Sequence, residues 1–309
     1  MSARAPGGAA TPARTKTTAV SLREKHRRGE PISMITAYDF PGARIADAAG
    51  FDAILVGDSL AMVVLGHPNT LSVGMEEMLH HARAVSRGAT GALLIGDMPF
   101  MSYQADAKDA VRNAGRFLQE AGMDAVKLEG GRPFADTVRA IVGAGIPVQG
   151  HVGLTPQSVK ALGGFRVQAR TAAAAQALLD DALALQDAGC FSLVLESVPE
   201  RLGALVTERL EIPTIGIGAG PSTSGQVLVL HDVVGLFDGF TPRFAKRYAE
   251  LGREMAQALR AFRADVESGA FPGREHSYAM AETEWEALLA RLDRRLPLSR
   301  PRRARSERG

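Results

Sequence analysis

Short apolar runs rich in Val, Ile and Leu alternate along this chain with longer segments of helical period. The runs cover 32–36, 53–57, 92–96, 125–128, 146–149, 192–195, 213–217 and 233–237. Strands that are apolar almost throughout are what a parallel sheet buried on both faces requires. Between them, apolar residues three and four apart predict helices. One passes through Met75, Met78, Leu79, Ala82 and Val85 and stops at Gly88; another is Ala-rich and runs over 171–189. Gly50, Gly122 and Gly145 follow helical patterns and precede strands, where a left-handed cap is wanted. Eight strand–helix units in a chain of this length predict an α/β fold, a (β/α)8 barrel. An open doubly wound sheet is the alternative, but Tyr38-Asp-Phe-Pro-Gly42 stands where its G-x-G-x-x-G turn would be. Beyond Pro242 the pattern reads as terminal helices over 244–266 and 281–292, joined by a Gly/Pro loop at 269–273.

Composition narrows the class. The 309 residues are 46% apolar and 23% charged, as in ordinary globular proteins. No apolar run approaches the roughly 20 residues of a membrane span. A lone cysteine, Cys190, can form no internal disulfide and no thiolate zinc site, which favours a reducing cytoplasm. The net charge of +2 hides an asymmetry: residues 1–28 and 294–309 each carry seven basic side chains against one acid. The middle is therefore acidic, near −10. This argues for one catalytic domain over 29–293 between basic, disordered extensions at 1–28 and 294–309, binding neither nucleic acid nor membrane. The start has no apolar core of a secretory signal; its basic, acid-poor composition would suit a transit peptide, but it shows no amphipathic helix, and a plain disordered extension is the expectation.

Candidate chemistry collects at strand ends, which in a barrel form the rim where active sites are built. Asp58 and Ser59 follow the second strand, Asp97 the third, and Lys127 and Glu129 lie on the fourth. His151 follows the fifth and Glu196 the sixth. Each aspartate taken alone is more readily a cap, but as a pair facing Glu129 and Glu196 on one rim Asp58 and Asp97 suit a hard divalent ion such as Mg²⁺. Alternation turns Lys127 and Glu129 to one face, into the barrel. There Lys127 is a fixed cation, a Schiff-base nucleophile or the partner of Glu129 in a buried ion pair. His151 contacts a ligand or is a solvated histidine. Glu196 ends an apolar strand, where partial desolvation raises a carboxyl pKa and suits a general base or acid; a structural ion pair is the alternative. Ile215-Gly-Ile-Gly-Ala-Gly220 reads as a phosphate cradle or a tight turn. His80, His81, His26, His67 and His231 read as surface or structural residues. With no Ser-His-Asp or Cys-His set, metal-assisted enolate chemistry is the better class.

Together Val56-Gly-Asp-Ser-Leu60, Gly66-His67, Gly96-Asp-x-Pro-Phe100, Val126-Lys-Leu-Glu-Gly-Gly131, Gly150-His-Val-Gly-Leu-Thr-Pro-Gln157, Leu195-Glu196, Ile215-Gly-Ile-Gly-Ala-Gly220 and His231-Asp232 closely resemble the ketopantoate hydroxymethyltransferase family. The resemblance covers about residues 17–248. It implies a barrel of the phosphoenolpyruvate/pyruvate type, dependent on Mg²⁺, that takes a one-carbon unit from 5,10-methylenetetrahydrofolate and assembles as a homodecamer. By the same resemblance Asp58 and Asp97 hold Mg²⁺, and Glu129 supports the metal through water. Ser59, Lys127 and His151 line the oxoacid's site beside the two aspartates, and Glu196 is the acid/base. Gly74 and Ser224 depart from the family's usual Thr and Asp, which touches cofactor-loop detail. The rivals are a Mg²⁺-dependent C–C lyase of the phosphoenolpyruvate/isocitrate-lyase type, a class I aldolase through Lys127, and a barrel that only presents its basic ends to RNA or a membrane surface.

Overall fold

The computed structural model describes residues 15–239 and 242–292. Eight parallel strands close into a barrel in chain order: β1 (Ile32–Thr36), β2 (Ala53–Val56), β3 (Leu93–Asp97), β4 (Ala125–Glu129), β5 (Val148–Gly153), β6 (Ser192–Glu196), β7 (Thr214–Ile217) and β8 (Gly225–Leu228). Their period of two divides the strand residues between two cores. Ile54, Val56, Val126 and Leu193 face outward beneath the helices. Met34, Leu55, Ile95, Val194 and Ile215 fill the interior.

α1 (Ala19–Arg27) closes the bottom of the barrel, and around and above it lie α2 (Phe40–Ala48), α3 (Leu60–Val63), α4 (Met75–Gly88), α5 (Ala107–Ala121), α6 (Ala135–Gly143), α7 (Val159–Leu162), α8 (Ala172–Asp187), α9 (Glu200–Arg209) and α10 (Leu230–Val233). α4 buries Met78, Leu79, Ala82 and Val85, the apolar face its spacing predicts. Thr171 caps α8 by accepting from the Ala174 amide. Gly50, Gly122 and Gly145 adopt φ of +87°, +68° and +85°, the left-handed turns expected between helix and strand.

Four expectations need correction. The eighth strand is Gly225–Leu228, not 233–237. No helix lies between β7 and β8, and Gln226 on the outer face of β8 is exposed, while Leu228 on the same face packs against the outer core. Without a helix between them, the strand has no need of a continuous apolar run. Residues 233–237 instead end α10 and turn at Gly235 (φ +62°).

The N-terminal extension expected over 1–28 overlaps α1. Thr18 and Ser21 cap that helix reciprocally, and Leu22, 1% exposed, plugs the bottom of the barrel. The basic residues there serve the fold: Lys16 Nζ lies 2.8 Å from Asp124, and Lys25 Nζ 2.7 Å from Asp52. Residues 1–14, and the tail expected over 294–309, lie outside the described residues.

The domain expected over 29–293 falls into two compact units divided after Gly252. α11 (Leu251–Ser268) starts later than the expected 244. The amides of Tyr248, Leu251 and Gly252 are already committed to the carbonyls of Val233, Val234 and Gly235. The second unit holds the rest of α11 and α12 (Glu282–Leu292), with the Phe271 ring 5.3 Å from that of Phe262. Among the described residues no helix is long and apolar enough to cross a membrane.

Candidate active site

The interior stripe of each strand changes from apolar to charged at its C-terminal end. Ile95 is followed inward by Asp97, Ala125 by Lys127 and Glu129, Gln149 by His151, and Val194 by Glu196. Asp58 and Ser59 join them from the turn between β2 and α3. All seven residues expected at the site line one cavity of about 400 Å³. Local sequence explains part of this placement. A Cβ on Gly96 would sit 2.4 Å from the Phe117 ring, so the glycine before Asp97 lets α5 pack directly on β3.

Lys127 Nζ lies 2.7 and 2.8 Å from the two oxygens of Asp97, and 3.8 Å from Glu129. Its main partner is therefore Asp97, not the Glu129 that spacing alone suggested. Burial pushes the Lys127 ammonium down, but the carboxylates of Asp97, Glu129 and Asp58 outweigh it and hold the group well above the ordinary lysine value. A lysine paired to both oxygens of Asp97 suits a fixed cation better than a Schiff-base nucleophile.

His151 sits between two acids, with Nδ1 3.4 Å from Glu129 and Nε2 3.3 Å from Glu196. Neither contact is aligned as a hydrogen bond, so these are charge contacts. Burial and Lys127 lower the imidazole's proton affinity, yet the two carboxylates raise its pKa to about 9. For Asp58, burial and the charges of Asp97 and Glu129 drive the carboxyl well above the usual range. With all four acids ionised, Asp58, Asp97, Glu129 and Glu196 would outnumber Lys127 and a protonated His151 by two, a −2 whose crowding, on top of burial, raises the Asp58 and Asp97 carboxyls.

That balance is the test of a metal. A divalent cation cancels the −2, and the donors are hard carboxylate oxygens of the kind Mg²⁺ selects. Among the described residues no three His, Cys, Asp or Glu side chains enclose an ion site. A Mg²⁺ centre that leaves positions for water and substrate needs one or two carboxylates, so Asp58 and Asp97 fit it.

Two residues not singled out in the sequence complete the site. Gln157 Nε2 donates to Asp58 Oδ2 (3.0 Å) and to the Met98 carbonyl (2.9 Å). Gln157 Oε1 accepts from Tyr103 (2.8 Å) and Gln104 (3.0 Å), while its backbone amide donates to Glu129 Oε2 (3.0 Å). One glutamine thereby orients Asp58 and Glu129 together. Its signal was the motif ending Thr155-Pro-Gln157, but an uncharged amide suggests no chemistry by itself. Ser59 is held in turn by Tyr38, whose hydroxyl lies 2.9 Å from Ser59 Oγ.

The glycine-rich segment after β7 reads as packing, not as a phosphate cradle. A Cβ on Gly218 would meet the Phe244 ring at 2.7 Å, and one on Gly220 would meet Glu200 Cγ at 2.5 Å. Of the two family departures, Gly74 starts α4 with its amide donating to Glu77. Ser224 pairs with Thr214 at the opposite end of the barrel from Glu196. Neither reaches the floor of the cavity.

A closed parallel barrel with acids at the C-terminal ends of its strands is a scaffold on which active sites are built, and solved structures share the barrel fold. The chain is similar in fold to phosphonopyruvate hydrolase in complex with oxalate and Mg²⁺ (TM-score 0.55, 15% identity, 91% of this chain and 99% of that one). It is similar also to 2,3-dimethylmalate lyase, a PEP mutase/isocitrate lyase superfamily member (TM-score 0.54, 18% identity, 90% and 96%). In sequence, the ketopantoate hydroxymethyltransferase profile matches residues 16–274, and the chain belongs to that family. The 3-methyl-2-oxobutanoate hydroxymethyltransferase of Syntrophobacter fumaroxidans is 59% identical over 264 residues, covering 85% of this chain and 94% of the relative. That of Nitratidesulfovibrio vulgaris strain DP4 is 53% identical over 300 residues, covering 96% and 97%.

Proposed function

We propose that this chain transfers a hydroxymethyl group from 5,10-methylenetetrahydrofolate to 3-methyl-2-oxobutanoate, giving ketopantoate and tetrahydrofolate in pantothenate and coenzyme A synthesis. The observation that carries the reading is the cavity floor. Six titratable side chains from five consecutive strands and their ends converge there with a deficit of two positive charges. Asp58 and Asp97, with Glu129 beside them, would hold Mg²⁺, which would supply Lewis-acid polarisation of the substrate's 2-oxo group, worth several kcal/mol.

The side chains divide the remaining work. Lys127 and Ser59 hold the oxoacid's carboxylate and oxygen atoms. Glu196 removes the proton from C3, and the carbanion forms a C–C bond to the donor's methylene carbon. Both bonds from that carbon to folate N5 and N10 break, water supplies the new hydroxyl, and the two nitrogens take up the C3 proton and the remaining proton of water, which releases tetrahydrofolate. His151 is a poor base at neutral pH, since its proton is held between Glu129 and Glu196. Its place is to fix Glu196 toward the substrate, and orienting reactant and base together lowers the barrel's entropic barrier to reaction. The same reading carries a cytoplasmic homodecamer, which light scattering on the purified protein checks.

Two measurements test it. Ketopantoate formation should require both methylenetetrahydrofolate and Mg²⁺; turnover of the oxoacid without folate would favour a lyase. In D₂O with Mg²⁺ and no folate, the C3 proton of the oxoacid should exchange. Glu196→Gln should slow that exchange by roughly 10²- to 10⁴-fold, the usual worth of a general base. Exchange at the wild-type rate would remove Glu196 from that role.

A further inference from the structure

The charged floor accounts for only part of the cavity. A valine-sized oxoacid covers the floor, whereas a volume of about 400 Å³ lies in the range that receives a drug-sized ligand. Above the floor the wall changes character. It is built from Phe165, Val167, Phe237 and Phe244, with Arg166 and Arg243 beside them. Phe165 is 50% and Phe244 36% exposed, so aromatic surface stands in water at the mouth of the cavity. Among the described residues neither guanidinium has a carboxylate within ion-pair reach.

The position of Phe244 is built in. Gly218 takes φ +70°, and any Cβ there would lie within 2.7 Å of the Phe244 ring. The glycines that resembled a phosphate cradle thus make room for an aromatic wall. That wall and the floor want different ligands: the floor a small anion with a metal, the wall a flat apolar body with negative charge at its far end.

We infer that this mouth is the dock of the one-carbon donor, with the reduced pterin against Phe244 and Phe165 and the glutamate carboxylates toward Arg166 and Arg243. The inference rests on the proposed hydroxymethyl transfer. The donor's methylene carbon must come within bonding distance of C3 of the oxoacid, so both ligands share one cavity. A negatively charged tail is repelled by a floor of acids and attracted by the two arginines of the wall. An aromatic face offers the pterin stacking that a polar wall would not.

The test uses the full chain with Mg²⁺ and tetrahydrofolate as the titrated ligand, followed by calorimetry. Phe244→Ala should weaken tetrahydrofolate binding about tenfold. Phe244→Leu, which keeps the apolar contact, should recover part of the loss. Combined Arg166→Ala and Arg243→Ala should weaken binding several-fold and abolish any gain from a longer polyglutamate tail, an effect that fades with added salt. In every variant the folate-free exchange of the C3 proton should keep its wild-type rate, which also certifies the fold. Unchanged tetrahydrofolate affinity in these variants, with exchange intact, would overturn the dock and leave the proposed reaction standing. A wild-type chain with neither exchange nor ketopantoate formation would overturn the reaction itself, and the dock with it.

Discussion

Asp52 and Asp58 stand at opposite ends of β2, and the chain treats them in opposite ways. Asp52, at the bottom, accepts from the Ser33 amide (2.8 Å), the Ser33 hydroxyl (2.9 Å) and Lys25 (2.7 Å). Burial raises its pKa, but those donors outweigh burial and hold it below the ordinary aspartate value. Its neighbours at that end are served alike: Asp47 accepts from the amides of Thr90, Gly91 and Ala92, and Asp124 from the Leu94 amide. Asp58, at the top, is buried among like charges and pushed the other way. The bottom satisfies its acids from within the chain; the top crowds four acids around two cations, and Asp58 and Asp97 resist ionisation there. Acids at the first end hold the barrel shut, and acids at the second wait for ligands.

Paired substitutions should break that comparison cleanly, and the largest effect belongs to the top. Asp58→Asn should cost on the order of 10³-fold in Mg²⁺-dependent turnover, the share of a Lewis-acid site. Its thermal midpoint should hold or rise, since a neutral amide relieves the crowded carboxylates. Asp52→Asn should do the reverse, with turnover near normal and stability lower by roughly 1–3 kcal/mol. Equal losses of stability in the two variants, read by urea titration, would erase the distinction between the ends.

Next in size is the plug. Leu22→Ala opens a void against the innermost layer and should cost about 2–5 kcal/mol, with C3-proton exchange unaffected while the chain remains folded. Smaller again is Gln157→Leu, which removes the donor that orients Asp58. A residue of this kind is worth roughly 10- to 100-fold in metal affinity. Titration with Mn²⁺ followed by electron paramagnetic resonance reads that loss directly; unchanged affinity would make Gln157 a packing residue.

The same contrast explains what the sequence made legible. The top announced itself because charged residues interrupt apolar strands: Lys127 between Val126 and Leu128, or Asp97 after Leu93-Leu-Ile95. A buried charge is costly, so its presence in such a run carries information. The bottom did not announce itself, because Lys16 and Lys25 share a composition with the basic residues before them and their partners are distant in sequence. Leu22 alone gave too short an apolar pattern to mark a helix. β8 was hidden for a related reason, since a strand with no helix on its outer face can carry Gln226 there and loses its apolar signature. Gln157 and Tyr103 stayed silent because uncharged polar groups act here only through partners that the fold brings together.

The smallest effect is a slope against pH, and it too separates the ends. His151 titrates near 9 in the folded chain and near 6.5 when unfolded. A raised folded value means that the proton stabilises the native state. That contribution is whole below about pH 6.5 and is lost as the pH rises through about 9. Its loss between those limits is at most about 1.4 kcal/mol for each pH unit. At the bottom, Asp52 has its value lowered, so its contribution is present above about pH 3.9 and disappears only in acid. Urea midpoints of the metal-free protein from pH 6.5 to 9.5 should therefore fall for the wild type and stay flatter for His151→Gln, while Asp52→Asn should keep the wild-type slope. An equal decline in the His151 variant would show that the proton between Glu129 and Glu196 does nothing for the fold, and would return the imidazole to the candidates for the base.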